Sequence, residues 1–214
     1  MLVPQTAPPF PLVWGFSTKL DAPESLPAPQ LSQVHGCAVV KATGAMQEAD
    51  GIWTDRPGLR VGVRVADCVP ILLAGPMDDG RPWVAALHAG WRGAVGGILR
   101  RGVRAYQDLG GGPARLSFAF GPAIQACHFE VGEEVIAAAK ADPAWKDGLR
   151  SEGPRGKPHL DLHGFLRAQA MDLGLDPSRD GSLSLCTMCQ TDLLHSYRNG
   201  DSQARQWGWV EILA

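Results

Sequence analysis

The chain is dominated by short stretches with a strand-like pattern. In some of them apolar and polar residues alternate, and in others apolar residues follow one another without interruption, so many short strands are predicted. Residues 59–65 place apolar side chains on one face, at the period of two that a strand requires. Residues 69–74 and 82–87 are uninterrupted apolar runs, which are typical of strands buried on both faces. Shorter strands are predicted at residues 13–17, 38–40, 116–120, 183–186 and 207–213.

Three stretches follow a helical period instead. Over residues 92–108, apolar residues recur at spacings of three and four, although four glycines weaken this predicted helix. Residues 133–140 and 161–173 are the other two predicted helices. Because helices are interspersed among neighbouring strands without strict alternation, the pattern favours an α+β fold.

Length and composition indicate one domain. A chain of 214 residues can bury a sizeable core, so we expect a single domain over residues 1–214. Four prolines make residues 1–12 an irregular N-terminal segment, and residues 21–29 are a second Pro-rich connection. The 26 glycines and 17 prolines indicate many tight turns.

Charge and apolar content exclude several classes of protein. The chain has 20 Lys and Arg against 22 Asp and Glu, with no basic block, so we expect no nucleic-acid partner. No apolar run approaches the roughly 18–20 residues that span a bilayer, so no membrane association is expected. The first residues do not resemble a secretion signal, and five cysteines is an odd number. Reduced thiols and a cytoplasmic location are therefore expected.

Three possible metal ligands lie where predicted strands end in glycine-containing turns. His35 lies directly before Gly36, Cys68 lies between two strand-like stretches, and His88 lies two positions before Gly90. Two imidazoles and a thiolate suit Zn²⁺, and three protein ligands leave a fourth position open, as catalytic zinc requires. The alternative from the residues alone is two buried histidines and a core thiol, because these long spacings have no motif specificity.

Two other groups of residues could bind metal. His159 and His163 are four residues apart, but Pro158 places His159 at or before the start of the helix, so the two side chains need not share a face. Cys186 and Cys189 form a CxxC motif, and Cys127 with His128 could complete a structural zinc site. For these cysteines we favour a purely structural role in the fold, and we assign no chemistry to Cys189, His159 or His163.

Two arginines are candidates for binding an anion. Gly90 and Arg92 lie at the predicted start of a helix, where backbone N–H groups and a guanidinium could bind phosphate. Arg198 follows His195 in a predicted loop. The alternative for both arginines is a solvated position on the surface.

A set of motifs, in order, resembles one family. The motifs are Gln33-Val34-His35-Gly36, Ala49-Asp50-Gly51, Ala66-Asp67-Cys68-Val69-Pro70, His88-Ala89-Gly90-Trp91-Arg92-Gly93, Gly121-Pro122-Ala123-Ile124, Phe129-Glu130-Val131, and Cys186-Thr187 with Ser196-Tyr197-Arg198. Together they resemble the YfiH-type, laccase-domain family, also labelled polyphenol oxidase or peptidoglycan editing factor. The resemblance covers the chain from about residue 13 to its C-terminus.

The resemblance implies both a fold and an activity. It implies an α/β/β/α sandwich and one zinc ion held by His35, Cys68 and His88. It also implies phosphorolysis of adenosine, inosine and methylthioadenosine, and deamination of adenosine. Some members are instead linked to removing wrong amino acids from cell-wall precursors. The chain departs from the family after its first strand: an Arg-Gly-Gly-x-Ser segment and a long loop are missing, and Lys19 stands where the arginine is usual.

These considerations give a set of candidate roles. Cys68, His88 and Asp67 are the catalytic candidates, with Asp67 either shuttling protons or hydrogen-bonding a histidine ligand. Arg92, Lys19, Arg198 and Gly90 are the candidates for substrate or phosphate binding. In an alternative hydrolase acting on an amide of a cell-wall precursor, Cys68 is the nucleophile and His88 or His35 its base.

Two further classes of protein are alternatives to these enzymes. A multicopper oxidase needs about ten histidines, commonly as His-x-His pairs, whereas this chain has six histidines and no such pair. Copper chemistry is therefore not favoured. A metal-stabilised binding module without catalytic activity is the remaining alternative. The sequence does not predict an oligomeric state.

Overall fold

The computed structural model describes residues 1–6, 8, 10–22 and 25–214, so the two Pro-rich segments are described only in part; Pro9 and Pro23 lie outside the described residues. The elements in chain order are β1 (Leu12–Phe16), β2 (Leu31–Ser32), β3 (Val39–Lys41), β4 (Gln47–Glu48), β5 (Gly51–Thr54), β6 (Val61–Val65), β7 (Val69–Pro76), β8 (Pro82–Ala89), α1 (Trp91–Val95), α2 (Ile98–Gln107), β9 (Ser117–Phe120), α3 (Glu133–Lys140), β10 (Arg150–Glu152), β11 (Pro158–Leu160), α4 (Leu162–Asp172) and β12 (Gln206–Ile212).

The two uninterrupted apolar runs form the longest strands and the centre of the main sheet. Strands β7 and β8 pair antiparallel along their full length and are buried except at one end. The sheet has the order β3-β5-β8-β7-β9, with β3 parallel to β5 and the other pairs antiparallel. Both faces of β7 and β8 are covered, as their composition predicts.

A smaller sheet covers one face of the central sheet. It has the order β1-β12-β6, with antiparallel pairs. Its inward side chains, such as Phe16, Val63 and Val210, pack with Leu72 and Ala86 in one hydrophobic cluster. On its outer face, guanidinium groups cover two tryptophans: Arg60 lies 4.2 Å from the ring of Trp209, and Arg64 lies 5.9 Å from that of Trp207.

All four helices contribute to the hydrophobic cluster on the other face of the central sheet. The described layers are therefore helices, a mixed sheet and a second sheet, which confirms the mixed α/β fold. The prediction of one helix over residues 92–108 is wrong, because the chain breaks at Gly96 and Gly97 into α1 and α2. Gly97 has φ 82°, a left-handed conformation that ends a helix readily only at glycine.

The prediction of a strand at residues 183–186 is also wrong. The segment forms only an isolated bridge between Ala123 and Cys186, and its two leucines, which are half-buried, have no ladder partner in the described part of the fold. The other predicted strands and helices are observed, with shifts of one or two residues at most of their ends. Within the described residues, no helix combines the length and hydrophobicity needed to cross a bilayer.

Candidate active site

Three strand-linked segments bring His35, Cys68 and His88 together at one edge of the central sheet. His88 lies near the end of β8, Cys68 directly precedes β7, and His35 lies in the bend after β2. One ligand atom from each residue lies within 4.8 Å of the other two. The two imidazole rings meet edge to face, with 4.8 Å between their centroids. The three residues that the sequence predicts as metal ligands are therefore adjacent in space.

Asp50 connects two of these three residues. Its carboxylate, which is fully buried, accepts a hydrogen bond from Nδ1 of His88 at 2.8 Å. It also accepts backbone N–H bonds from Val34 at 3.3 Å, His35 at 3.0 Å and Gly36 at 2.7 Å. The bond to Nδ1 fixes the tautomer of His88 and leaves Nε2 for a metal. The same carboxylate holds the turn that carries His35.

The backbone at the site is in unusual conformations. Within the described parts of the chain, His35 (φ 59°) and Asp67 (φ 82°) are the two non-glycine residues with positive φ. Both lie at this site, where such strain commonly serves function. Gly90 allows a close approach: a Cβ atom there would lie 3.1 Å from Sγ of Cys68 and 3.4 Å from the ring of His35.

The charges of the site favour a thiolate paired with an imidazolium in the metal-free protein. Burial alone would raise the pKa of Cys68, but hydrogen bonds from His35 and His88 lower it to about 6. Burial alone would lower the pKa of His88, but Asp50 and Cys68 raise it to about 9. The pKa of Asp50 is lowered because its hydrogen bonds to His88 and to backbone N–H groups outweigh the effect of burial. A divalent metal binding here would displace the proton of His88.

The three candidate ligands line a cleft of about 780 Å³. Arg92 and Arg198 also line it, and each guanidinium lies near an aromatic ring: Arg92 is 4.5 Å from the ring of Trp91, and Arg198 is 5.6 Å from that of Phe129. Tyr197 lines the cleft and is exposed. The cleft therefore combines cationic groups with aromatic surfaces beside the candidate metal site.

Two other predicted site residues are engaged elsewhere. Asp67 lines the cleft, but its carboxylate accepts hydrogen bonds from Oγ1 of Thr187 at 2.6 Å and from the backbone N–H of Arg198 at 2.8 Å. It anchors the C-terminal segment, and its role as a proton carrier stays a prediction. Lys19 is not among the residues that line this cleft; its Nζ donates to the carbonyl oxygen of Thr191 at 2.7 Å and lies 3.4 Å from Asp201.

The pair His159 and His163 does not form a metal site. His159 lies in β11, with Nδ1 2.6 Å from the carbonyl oxygen of Ala126, and His163 lies in the first turn of α4, with Nε2 2.9 Å from that of Gly121. His159 lies before the start of the helix, as the sequence predicts, and Asp161, the N-cap of α4, separates the element of His159 from that of His163.

Sequence reasoning missed the role of Asp50. The residue belongs to one of the family-like motifs, but it lies 38 positions from His88, so no spacing pattern connects the two. The sequence signal available was a carboxylate directly before Gly51 and the apolar residues Ile52 and Trp53, which lie in β5. Buried histidine ligands usually donate their second N–H to a carboxylate or a carbonyl group, and this rule identifies a partner only once the fold is known.

Comparison with known proteins finds relatives that match most of this chain. A family model described as multi-copper polyphenol oxidoreductase laccase matches residues 17–212. A Deinococcus radiodurans protein named purine nucleoside phosphorylase is 38% identical over 186 residues, covering 86% of this chain and 69% of the relative. A protein of an unknown prokaryotic organism named adenosine deaminase RL5 is 32% identical over 187 residues, covering 81% of this chain and 70% of the relative.

Solved structures agree with the sequence comparison. The crystal structure of YlmD from Geobacillus stearothermophilus superposes with a TM-score of 0.83 at 26% identity, covering 97% of this chain and 94% of that one. The resemblance drawn from the sequence motifs is therefore confirmed over most of the chain. This chain belongs to the laccase-domain family to which the YfiH proteins also belong.

Proposed function

We propose that this protein is a zinc-dependent purine nucleoside enzyme that phosphorolyses adenosine, inosine or methylthioadenosine and deaminates adenosine. The observation that carries the proposal is the convergence of His35, Cys68 and His88 in a cleft lined by arginines and aromatic rings. The names of the relatives point to the same two activities. The proposal makes nucleoside and phosphate the small-molecule partners of the cleft.

The donor set fits zinc better than copper. Two imidazoles and one thiolate are common zinc ligands, and the absence of a Cβ at Gly90 leaves the space beside Sγ of Cys68 open. Six histidines without a His-x-His pair do not supply a multicopper centre, whatever the description of the family. Zinc in this position supplies Lewis-acid activation of water or of a substrate oxygen.

The residues around the candidate metal ligands would bind and orient the substrate. Arg92 and Arg198 present guanidinium groups to the cleft, where each could bind a phosphate oxygen through paired N–H donors. Phe129 and Tyr197 offer rings against which a purine could stack. Asp67 holds the backbone of Arg198 in place, and through it the position of the guanidinium.

The proposal is tested with adenosine, inosine, guanosine and methylthioadenosine, each with and without phosphate. Chromatography separates free base from deaminated nucleoside. We expect phosphate-dependent release of base, together with phosphate-independent formation of inosine from adenosine. His88→Ala should lose both activities, whereas Cys37→Ser, at a cysteine outside the cleft lining, should retain them. Absence of turnover with every nucleoside contradicts the proposal.

A hydrolase acting on an amide of a cell-wall precursor is the second candidate. It is favoured by the position of the Cys68 thiol within 4.8 Å of ring nitrogens of His35 and His88, whose hydrogen bonds lower the pKa of the thiol to about 6 and so favour a nucleophilic thiolate. The two candidates differ in the metal content of the purified protein. Stoichiometric zinc that is lost in Cys68→Ser supports the zinc enzyme, whereas metal-free protein whose Cys68 is alkylated rapidly supports the thiol hydrolase.

We also propose a cytoplasmic location. All five cysteines are free, although Cys127 and Cys189 lie only 3.8 Å apart at their sulfur atoms. An odd number of cysteines, for which no disulfide framework is expected, is typical of a protein in a reducing compartment.

A further inference from the structure

Two tight turns, far apart in the sequence, place a second group of metal-binding side chains together. Cys127 and His128 lie in a turn after β9, where the N–H groups of His128 and Phe129 both donate to the carbonyl oxygen of Gln125 at 2.9 Å. Cys186 and Cys189 lie in a second turn, where the N–H of Cys189 donates to the carbonyl oxygen of Cys186 at 3.2 Å. We call Cys127, His128, Cys186 and Cys189 the CHCC cluster.

The main chain holds the two turns against each other. The N–H of Thr187 donates to the carbonyl oxygen of Ala123 at 3.1 Å, and the N–H of Ala123 donates to that of Leu185 at 3.1 Å. This pairing fixes Cys186 and the residues before Cys127 in one register. The four side chains therefore meet because the backbone brings them together.

Four of the six distances between ligand atoms of the CHCC cluster lie close to those around a tetrahedral zinc ion, and all six are within 4.8 Å. Three thiolates at about 2.3 Å and one imidazole at about 2.0–2.1 Å from zinc require sulfur–sulfur distances of about 3.8 Å and sulfur–nitrogen distances of about 3.6 Å. The two sulfurs of Cys127 and Cys189 are 3.8 Å apart. Nδ1 of His128 lies 3.2, 3.5 and 3.7 Å from the sulfurs of Cys127, Cys189 and Cys186.

We propose that the CHCC cluster is a structural zinc site with three thiolate ligands and Nδ1 of His128. Four protein ligands close the coordination sphere, as structural sites require, and the Cys-x-x-Cys spacing is the one that zinc-binding turns use. Cys127 and Cys189 are exposed, so a metal ion can enter from solvent, whereas Cys186 is buried and anchors the site. Thiolate-rich tetrahedral sites select zinc over harder divalent ions.

The proposed ion would stabilise one wall of the cleft. Within the described chain, no helix or strand is present from residue 181 to residue 205, and a segment of this length without regular structure is unusual in a compact fold. This segment carries Tyr197 and Arg198 of the cleft, and the turn that it faces leads directly to Phe129. Zinc in the CHCC cluster therefore links two segments that line the cleft, without contributing to the cleft lining itself.

Metal analysis of the full chain, purified under reducing conditions, tests the site. If both sites bind zinc, the protein contains about two zinc ions per chain, and Cys189→Ser and Cys68→Ser contain about one each. The matched control is Cys37→Ser, which changes a free cysteine outside both groups and should keep the wild-type content. The CHCC proposal requires only that Cys189→Ser contains about one zinc fewer than Cys37→Ser; equal contents overturn it.

X-ray absorption at the zinc edge of Cys68→Ser provides a test that needs no change in the CHCC cluster. We expect three sulfurs and one nitrogen around zinc at the distances given above. Zinc surrounded by oxygen and nitrogen, iron or copper in place of zinc, or metal-free protein with a Cys127–Cys189 disulfide overturns the proposal. These results are independent of the nucleoside assay, because they measure the bound metal and its ligand atoms rather than turnover.

Discussion

At the scale of single residues, Asp50 accepts four hydrogen bonds from the segment Val34–Gly36 and from His88 while lying out of contact with solvent. Three of these bonds hold the turn that carries His35, and the fourth orients His88. Carboxylates in this position commonly strengthen metal binding by orienting the ligands. Asp50 is therefore a positioning residue for the proposed zinc site.

Asp50→Asn should weaken zinc binding by about 10- to 100-fold, which is the usual effect of losing a carboxylate that orients a histidine ligand. The amide keeps the size of the side chain but removes its charge and one acceptor. Competition with a chromophoric chelator measures the change in affinity. Asp55→Asn is the matched control, since Asp55 pairs with Lys41 and Arg81 at the surface. Equal zinc affinities in the two variants would contradict the role of Asp50.

Arg92 allows the two proposed activities to be separated. Arg92→Lys should raise the KM for phosphate by about tenfold, because an ammonium group cannot make the paired contacts of a guanidinium. Deamination uses no phosphate, so its rate should change little. Steady-state kinetics with inosine and phosphate, and with adenosine alone, measure both effects. Arg101→Lys, on the exposed face of α2, is the control. A parallel loss of both activities would show that Arg92 supports the fold rather than phosphate binding.

At the scale of elements, α2 lies close to the central sheet because of Gly102. A Cβ atom at this position would lie 2.7 Å from Cδ1 of Leu87 and 3.3 Å from Cδ1 of Leu73, both fully buried. The glycine that weakens the helix in isolation therefore permits the packing of the helix on the sheet.

Gly102→Ala should lower the free energy of unfolding by about 1–3 kcal/mol, because overpacking the interface costs more than the gain in helix propensity. Urea denaturation followed by circular dichroism measures the change. Arg101→Ala, at the neighbouring exposed position, should stay within about 0.5 kcal/mol of the wild type. A Gly102→Ala variant as stable as Arg101→Ala would show that the helix can move away from the sheet at little cost.

The helices and strands show which features of the fold the sequence predicts and which it does not. β7 and β8 were predicted because strands covered on both faces need continuous apolar runs. The break at Gly97 is not predicted, since the apolar spacing continues across it; the glycines indicate a weak helix, and the backbone angle of Gly97 shows where it breaks. In the segment 183–186, Leu183 and Leu185 are half-buried and Ser184 is exposed, and the sequence does not show that the segment lacks a ladder partner.

At the scale of the whole molecule, both groups of candidate metal ligands depend on contacts between distant segments. The sequence alone names His35, Cys68 and His88 as possible ligands at strand ends, but their spacing has no motif specificity, and only the resemblance to a family favours a shared metal site over two buried histidines and a core thiol. The CHCC cluster joins positions 127–128 to 186–189, and the sequence offered it only as one option among several. Side chains brought together by strand order and loop packing are not encoded in any local pattern.

The buried histidine His163 makes the stability of the whole fold depend on pH. Burial, opposed by the hydrogen bond to the carbonyl oxygen of Gly121, lowers its pKa from 6.5 to about 4. Between about pH 4 and about pH 6.5, the imidazole of His163 binds a proton in the unfolded chain but not in the folded chain. Stability from this residue is therefore fully present above about pH 6.5 and is lost as the pH falls toward about 4, by up to about 1.4 kcal/mol per pH unit.

His163→Gln removes this titration while keeping an N–H donor for Gly121. Urea denaturation of both proteins at about pH 5 and about pH 7.5 should show that wild type loses more unfolding free energy on acidification, by about 1–2 kcal/mol. The comparison isolates His163, because the other titrating groups are the same in both proteins. Equal losses of stability in the two proteins would contradict this prediction. They would mean that the imidazole of His163 is protonated in the folded protein, although its buried Nδ1 has no hydrogen-bond partner among the described residues.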